Sequence, residues 1–206
     1  MLRANALLLV VVCWLTGDVA LAGGPPVIYW KCDPVGPNET LMLFGDSLGP
    51  PARALVGRWP DAEPRSPEAG GKLPAGEEQE IKPLQAESQC IKLLIPADWR
   101  WGCYRVQLQT PAGTAQVLVN RPEVWWSLGD IGPAASPGRE YRLFGKNFWL
   151  EPAKGAWPGR VVLRTAPGRF QSLPVLAANR YTVTVRLPAD LPAGRYTLWL
   201  HHGHSG

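Results

Sequence analysis

The sequence predicts an all-β protein made of two tandem modules, and three observations carry that expectation. Its 206 residues include 22 Gly and 22 Pro, its apolar runs are short, and it has hardly any capped helical stretch. Where the pattern is clearest it has a period of two: Ile91, Leu93 and Ile95 alternate with Cys90, Lys92 and Leu94, as in a half-buried strand. The chain also repeats itself. Leu43, Phe44 and Gly45 return as Leu143, Phe144 and Gly145, and LLIPADWRWGCYRVQL at 93–108 matches VRLPADLPAGRYTLWL at 185–200. Two matches in the same order mark a duplicated domain.

Residues 1–22 have the order of a secretory signal peptide: Arg3, an apolar run over 6–15, then Ala20-Leu21-Ala22 before an expected cleavage. About ten apolar residues are too few for a spanning helix, which needs roughly 20. The mature chain then holds two modules, 23–120 and 121–206, each long enough for its own core.

Module one opens with a strand at 27–32 (VIYWKC), turns at Pro34, Gly36 and Pro37, and continues with strands at 41–44 and 54–57. Residues 58–80, rich in Pro, Gly and Glu, are expected to form an exposed loop. Strands follow at 90–95, 104–108 and 115–119. Only a few residues, Asn120, Arg121 and Pro122 among them, separate the last of these from Val124-Trp125-Trp126, the opening strand of module two, which predicts a stiff joint. Module two repeats the plan at 124–126, 141–144, 161–164, 181–187 and 196–200, without a counterpart of 115–119, and is read as truncated. Residues 23–120 hold nine Lys and Arg against eleven Asp and Glu, whereas 121–206 hold eleven against five, so the second module is distinctly basic.

An apolar strand ending in Phe-Gly, a loop with an apolar anchor, then a strand ending in Ile-Pro or Leu-Pro and a Gly-x-Tyr-x-Leu segment together resemble the IPT/TIG family of immunoglobulin-like domains. Module one carries the last segment as Gly102-Cys103-Tyr104-Arg105-Val106, with valine where module two has Leu198. The resemblance implies a two-sheet β-sandwich in each module and interaction or spacer roles without catalysis. Residues 122–126 (PEVWW), Gly129-Asp130, the LFGKNF stretch and 200–203 (LHHG) also resemble segments that precede pectate-lyase-like right-handed β-helix domains of secreted proteins. That resemblance implies a polysaccharide-active domain downstream.

The sandwich implied by the resemblance places Cys32 and Cys103 at the same end, which makes them the expected disulfide and leaves Cys90 over. Such a bridge closes about 70 residues and is worth roughly 4 kcal/mol. Reduced or intermolecularly paired thiols stay open as the alternative.

Aromatic faces stack on the apolar side of a sugar ring, so the loop pair Trp99 and Trp101, and Trp149 with Trp157 in module two, are candidate carbohydrate contacts. Trp30 and one of Trp125 and Trp126 are expected to fill the cores. Strand parity points Arg142 and Arg186 outward on neighbouring strands, with Arg164, Arg169 and Arg180 expected nearby. A face of this kind suits an acidic polysaccharide, because a guanidinium offers a carboxylate a forked pair of hydrogen bonds. The matching positions in module one, Met42 and Leu94, make an apolar face expected to be covered by 58–80 or by another domain. Gly145 is expected to permit a sharp exit into the following loop.

Asp98 and Asp190 occupy equivalent Pro-Ala-Asp turns, which favours turn chemistry over catalysis. His201, His202 and His204 lack the further ligand a metal site needs. Neither cofactor nor metal is expected, nor a nucleic-acid partner or a membrane span. The sequence thus predicts non-catalytic modules of an exported protein, a spacer or carbohydrate-contacting region, or alternatively an adhesive array that binds protein partners.

Overall fold

The computed structural model describes residues 24–49, 53–61, 78–151, 155–167 and 169–205. The expected signal peptide and most of the expected 58–80 loop lie outside the described residues.

Every element described is a β-strand. Module one contains β1 (Val27–Lys31), β2 (Thr40–Asp46), β3 (Arg53–Arg58), β4 (Glu78–Glu80), β5 (Gln85–Ala86), β6 (Cys90–Leu94), β7 (Tyr104–Thr110) and β8 (Gly113–Val119). They form two antiparallel four-stranded sheets, ordered β1-β2-β6-β5 and β4-β3-β7-β8. Module two contains β9 (Glu123–Leu128), β10 (Glu140–Lys146), β11 (Arg160–Ala166), β12 (Arg169–Ser172), β13 (Val175–Ala178), β14 (Thr182–Arg186) and β15 (Thr197–His201). Its sheets are ordered β13-β14-β10-β9 and β12-β11-β15. Seven of module one's eight strands therefore recur in module two with the same neighbours, and β8 has no counterpart among the described residues. Each module is an immunoglobulin-like sandwich. No helix among the described residues is long and apolar enough to cross a membrane.

The alternation seen in the sequence builds the cores. In β2 and β6, Leu41, Leu43, Ile91 and Leu93 point between the sheets and are fully buried, meeting Val56, Tyr104, Val106 and Leu108 of the opposite sheet. Module two repeats this with Leu143, Val183 and Val185 against Val161 and Leu163. Burial of one such aliphatic side chain stabilises the fold by about 2 kcal/mol.

Glu78–Glu80 is not loop, as the composition suggested, but a short edge strand paired with Leu55, Val56 and Gly57. It belongs to the sheet opposite Met42 and Leu94, so this part of 58–80 does not cover their face. Met42 is half-buried and Leu94 is 39% exposed.

The expected Cys32–Cys103 disulfide is not formed. Cys32, Cys90 and Cys103 are free thiols. The sulfur of Cys32 accepts the Met42 N–H at 3.0 Å beside the β1–β2 ladder, whereas that of Cys103 lies 3.5 Å from His202 Nε2 in the joint. Burial raises the Cys103 thiol pKa to about 12, so it stays protonated.

The joint is short and heavily bonded. Asn120 is buried with φ of 66°, a conformation that asparagine tolerates better than most residues. Its side chain accepts from Val35 N and donates to the carbonyls of Val35 and Gly102. Asp33, almost fully buried, holds Lys146 at 2.7 Å and Lys31 at 3.4 Å, and Glu123 holds both lysines at 3.5 and 3.6 Å. Burial alone would lower the Lys146 pKa, but the hydrogen bond and charge of Asp33, with Glu123, outweigh it and raise it. His202, 1% exposed, donates from Nε2 to Asn120 O at 3.2 Å and accepts His204 N–H on Nδ1 at 3.1 Å. Both ring nitrogens are therefore engaged in holding the joint.

Candidate functional site

The repeated Phe-Gly pair has a structural cause. In β1, Ile28 pairs with Gly45 and Trp30 with Phe44, so Tyr29 is an extra residue, a β-bulge. In β9, Val124 pairs with Gly145 and Trp126 with Phe144, so Trp125 is the extra residue. The bulge presses the neighbouring backbone against the glycine: a Cβ on Gly45 would lie 1.8 Å from Val27 O, and one on Gly145 1.8 Å from Glu123 O. Close approach thus demands glycine at both places. The expectation that Gly145 opens the following turn is corrected, because the positive φ there belongs to Asn147 at 61°, and in module one to Ser47 at 55°.

One extra residue also changes which face the aromatic side chains reach. Trp30, Trp125 and Trp126 are 53%, 59% and 58% exposed, so none of them fills a core, contrary to the sequence reading. Trp30 packs on Phe44 with ring centres 5.5 Å apart, and Trp126 on Phe144 at 5.0 Å. Tyr29 is 66% exposed and its hydroxyl meets the Asp46 carboxylate, a hydrogen bond that raises the phenol pKa. Each module thus carries an aromatic row on the outer face of its first sheet. Phe44 and Phe144 share strand parity with the outward residues Met42 and Arg142, a signal already present in the sequence.

Adjacent rows on that face lie two residues along the strand, about 7 Å. In module two, the row next to Trp126 and Phe144 holds Leu128, Arg142 and Thr184, and the one beyond holds Glu140 and Arg186. Arg142 Nε donates to Thr184 Oγ1 at 3.0 Å, and Arg186 meets Glu140 at 3.4 Å with both side chains more than half exposed. With Arg139 and Asp130 these residues line an open cavity of about 530 Å³. Asp130 accepts the Ser136 N–H at 2.7 Å, which lowers its pKa and keeps it ionised. In module one the corresponding positions are Met42, Lys92, Thr40 and Leu94. Arg142 and Arg186 are brought together as predicted. Arg164 and Arg169 are not, since β11 and β12 belong to the other sheet.

The four loop tryptophans fall elsewhere. Trp99 is half-buried against Tyr104, with ring centres 5.6 Å apart, and the ring of Trp101 covers Gly36, where an added Cβ would lie 2.4 Å from it. Trp157 packs on the second core and donates Nε1–H to Phe148 O at 2.6 Å; Trp149 is half-buried between the fully buried Phe148 and Leu150. Trp99 and Trp101 do line a cleft of about 420 Å³ between the modules, with Arg58, Asp61, Glu151 and His204. Much of its polar capacity is spent internally. The Arg58 guanidinium donates to the carbonyls of Trp59 and Trp101 and to Asp61, which also accepts Ser205 N–H. Burial tends to raise the Asp61 pKa, yet the Arg58 and Ser205 hydrogen bonds prevail and lower it.

Fold and faces together define a tandem of immunoglobulin-like sandwich modules with an aromatic row exposed on each. No protein-family model matches the chain, and no curated protein matches it. Among solved structures it is similar to SGBP-B of the Bacteroides ovatus mixed-linkage glucan utilization locus, solved with a mixed-linkage heptasaccharide. The identity is 20% over 80% of this chain and 36% of that one, at a TM-score of 0.28. It is also similar to SGBP-B from a complex xyloglucan utilization locus in Bacteroides uniformis, at 14% identity over 87% of this chain and 47% of that one, with a TM-score of 0.34. The chain spans between a third and a half of the length of these structures.

Proposed function

We propose that the two modules are a non-catalytic, carbohydrate-contacting region of an exported protein, held as a stiff pair, and that sugar rings stack on the outer aromatic rows. The observation that carries this reading is the repeated bulge. Twice it turns large aromatic rings away from a core that could have buried them, against the usual fate of tryptophan. Exposed apolar area of this kind marks an interaction surface, and flat rings suit the C–H faces of a pyranose. The arginines beside the row in module two favour an acidic polysaccharide there. As an IPT/TIG-like spacer, the pair would present a downstream polysaccharide-active domain, of the pectate-lyase-like β-helix kind, to its substrate.

Affinity electrophoresis of the intact chain through gels containing neutral and uronate-rich polysaccharides tests this. The expected result is retardation that weakens about tenfold with Trp126→Ala, the 1.4 kcal/mol scale of one lost aromatic contact. Arg142→Gln with Arg186→Gln is expected to remove salt sensitivity on acidic gels only. Retardation on no gel, or retardation indifferent to these changes, contradicts the reading. The outward apolar residues Met42 and Leu94 of module one favour the second reading, an adhesive face for protein.

A further inference from the structure

The open cavity beside the aromatic row of module two has a lining whose charges do not cancel. Arg139, Arg142 and Arg186 bring three positive charges to it and Asp130 and Glu140 two negative ones, which leaves one positive charge over. The two carboxylates are held differently. Asp130 accepts the Ser136 N–H at 2.7 Å, close by in the chain, whereas the Glu140 side chain has Arg186 as its partner among the described residues, at 3.4 Å and with both groups more than half exposed. Exposed ion pairs contribute little stability, so Glu140 leaves Arg186 at small cost. Arg142 is the fixed member of the set. Its Nε donates at 3.0 Å to the hydroxyl of the buried Thr184, which sets the guanidinium plane and leaves both terminal nitrogens without a hydrogen bond among the described residues.

We propose that this cavity is a subsite for one uronate carboxylate and that Glu140 is its built-in competitor, occupying Arg186 in the free protein and yielding it to the sugar, whose carboxylate then lies between Arg186 and Arg142. The occupant already present states the chemistry. Arg186 carries a carboxylate, a guanidinium receives such a group through a forked pair of hydrogen bonds, and the surplus of one positive charge matches one negative charge. Position supplies the rest. Arg142 lies one row, about 7 Å, from Phe144 on the outer face, with Leu128 beside it on β9, so a chain stacked on Trp126 and Phe144 brings its next residue over the cavity. Module one lacks the subsite, because Thr40 and Leu94 stand where Glu140 and Arg186 pair. The inference rests on the carbohydrate reading above and adds what sets its selectivity: an acidic chain competes with Glu140, and a neutral one does not.

The test compares the intact chain with its Glu140→Gln variant by affinity electrophoresis through gels of polygalacturonate, hydroxyethylcellulose and dextran sulfate. Glu140→Gln is expected to tighten binding to polygalacturonate about threefold, the scale of one exposed ion pair, and to leave hydroxyethylcellulose unchanged. In an Arg186→Gln background the gain should vanish. Glu80→Gln controls for net charge, since it frees Arg53 from a similarly exposed pair at 3.0 Å outside the cavity, and it should change nothing. Polygalacturonate binding that is unchanged or weaker in Glu140→Gln, an equal gain from Glu80→Gln, or a gain that persists without Arg186 overturns the proposal, while retardation that depends on Trp126 would leave the carbohydrate reading standing. An equal gain on dextran sulfate would assign the cavity to sulfate esters as much as to carboxylates and overturn the uronate assignment. Retardation on no gel overturns both the carbohydrate reading and this inference.

Discussion

Module one and module two share seven strands, a bulge opposite a Phe-Gly pair and an exposed aromatic row, yet they differ in nearly every outward residue beyond that row. Met42 faces Arg142, Lys92 faces Thr184, and Leu94 faces Arg186 across the comparison. What is common is therefore what the bulge requires and exposes, whereas the neighbouring positions are free to set charge. The cores differ as well. Among the described residues, thirteen buried ones cluster in module one against seven in module two, where β8 has no counterpart. Module two should be the weaker half.

The sharpest way to break the shared part is Gly45→Ala or Gly145→Ala. Each forces a Cβ into a carbonyl oxygen, and a loss of about 3 kcal/mol or more is expected, read by denaturant unfolding. The Gly145 change should unfold its module outright, while the Gly45 change leaves a folded but weakened module one. Equal and small effects would dissolve the comparison.

Next in size is the joint. With Asp33→Asn, Lys31 and Lys146 lose a buried counter-charge, an expected cost of about 2 kcal/mol. The effect should show as independent tumbling of the modules in NMR relaxation, with each core intact.

Acid provides a further test. Burial, with smaller contributions from His201 and His204, depresses the His202 pKa to about 3, below its ordinary 6.5. The unfolded chain then takes up the proton first. This contribution to stability is full above pH 6.5 and falls by roughly 1.4 kcal/mol per pH unit between 6.5 and 3. Replacing the ring by His202→Gln should flatten that slope in pH-dependent melting curves; an unchanged slope would assign it to other groups.

Much of this architecture was legible in the sequence because buried strands announce themselves by strict alternation, as in Ile91, Leu93 and Ile95, and because the repeat showed them twice. The short edge strands were not legible. Glu78–Glu80 and Gln85–Ala86 bury little and form only because a neighbour offers its edge. The aromatic rows were misplaced for a related reason. A single bulged residue, Tyr29 or Trp125, flips every side chain beyond it to the other face, and counting from the strand's start sends Trp30 and Trp126 inward. Counting from Phe44 and Phe144, whose parity the buried Leu43 and Leu143 fix, sends them out. Cysteine pairing was not legible either, since it depends on where Met42 and His202 meet the two sulfurs.

The most direct measurement is a ¹H–¹⁵N spectrum of the tryptophan indoles during titration with oligosaccharide from whichever polysaccharide retards the chain. Stacking on the outer rows predicts that the Trp30, Trp125 and Trp126 signals move, while Trp157, bonded to Phe148 O, and Trp99, packed on Tyr104, stay still. Movement of Trp99 and Trp101 with the outer indoles unchanged would place the sugar in the cleft between the modules and contradict the account.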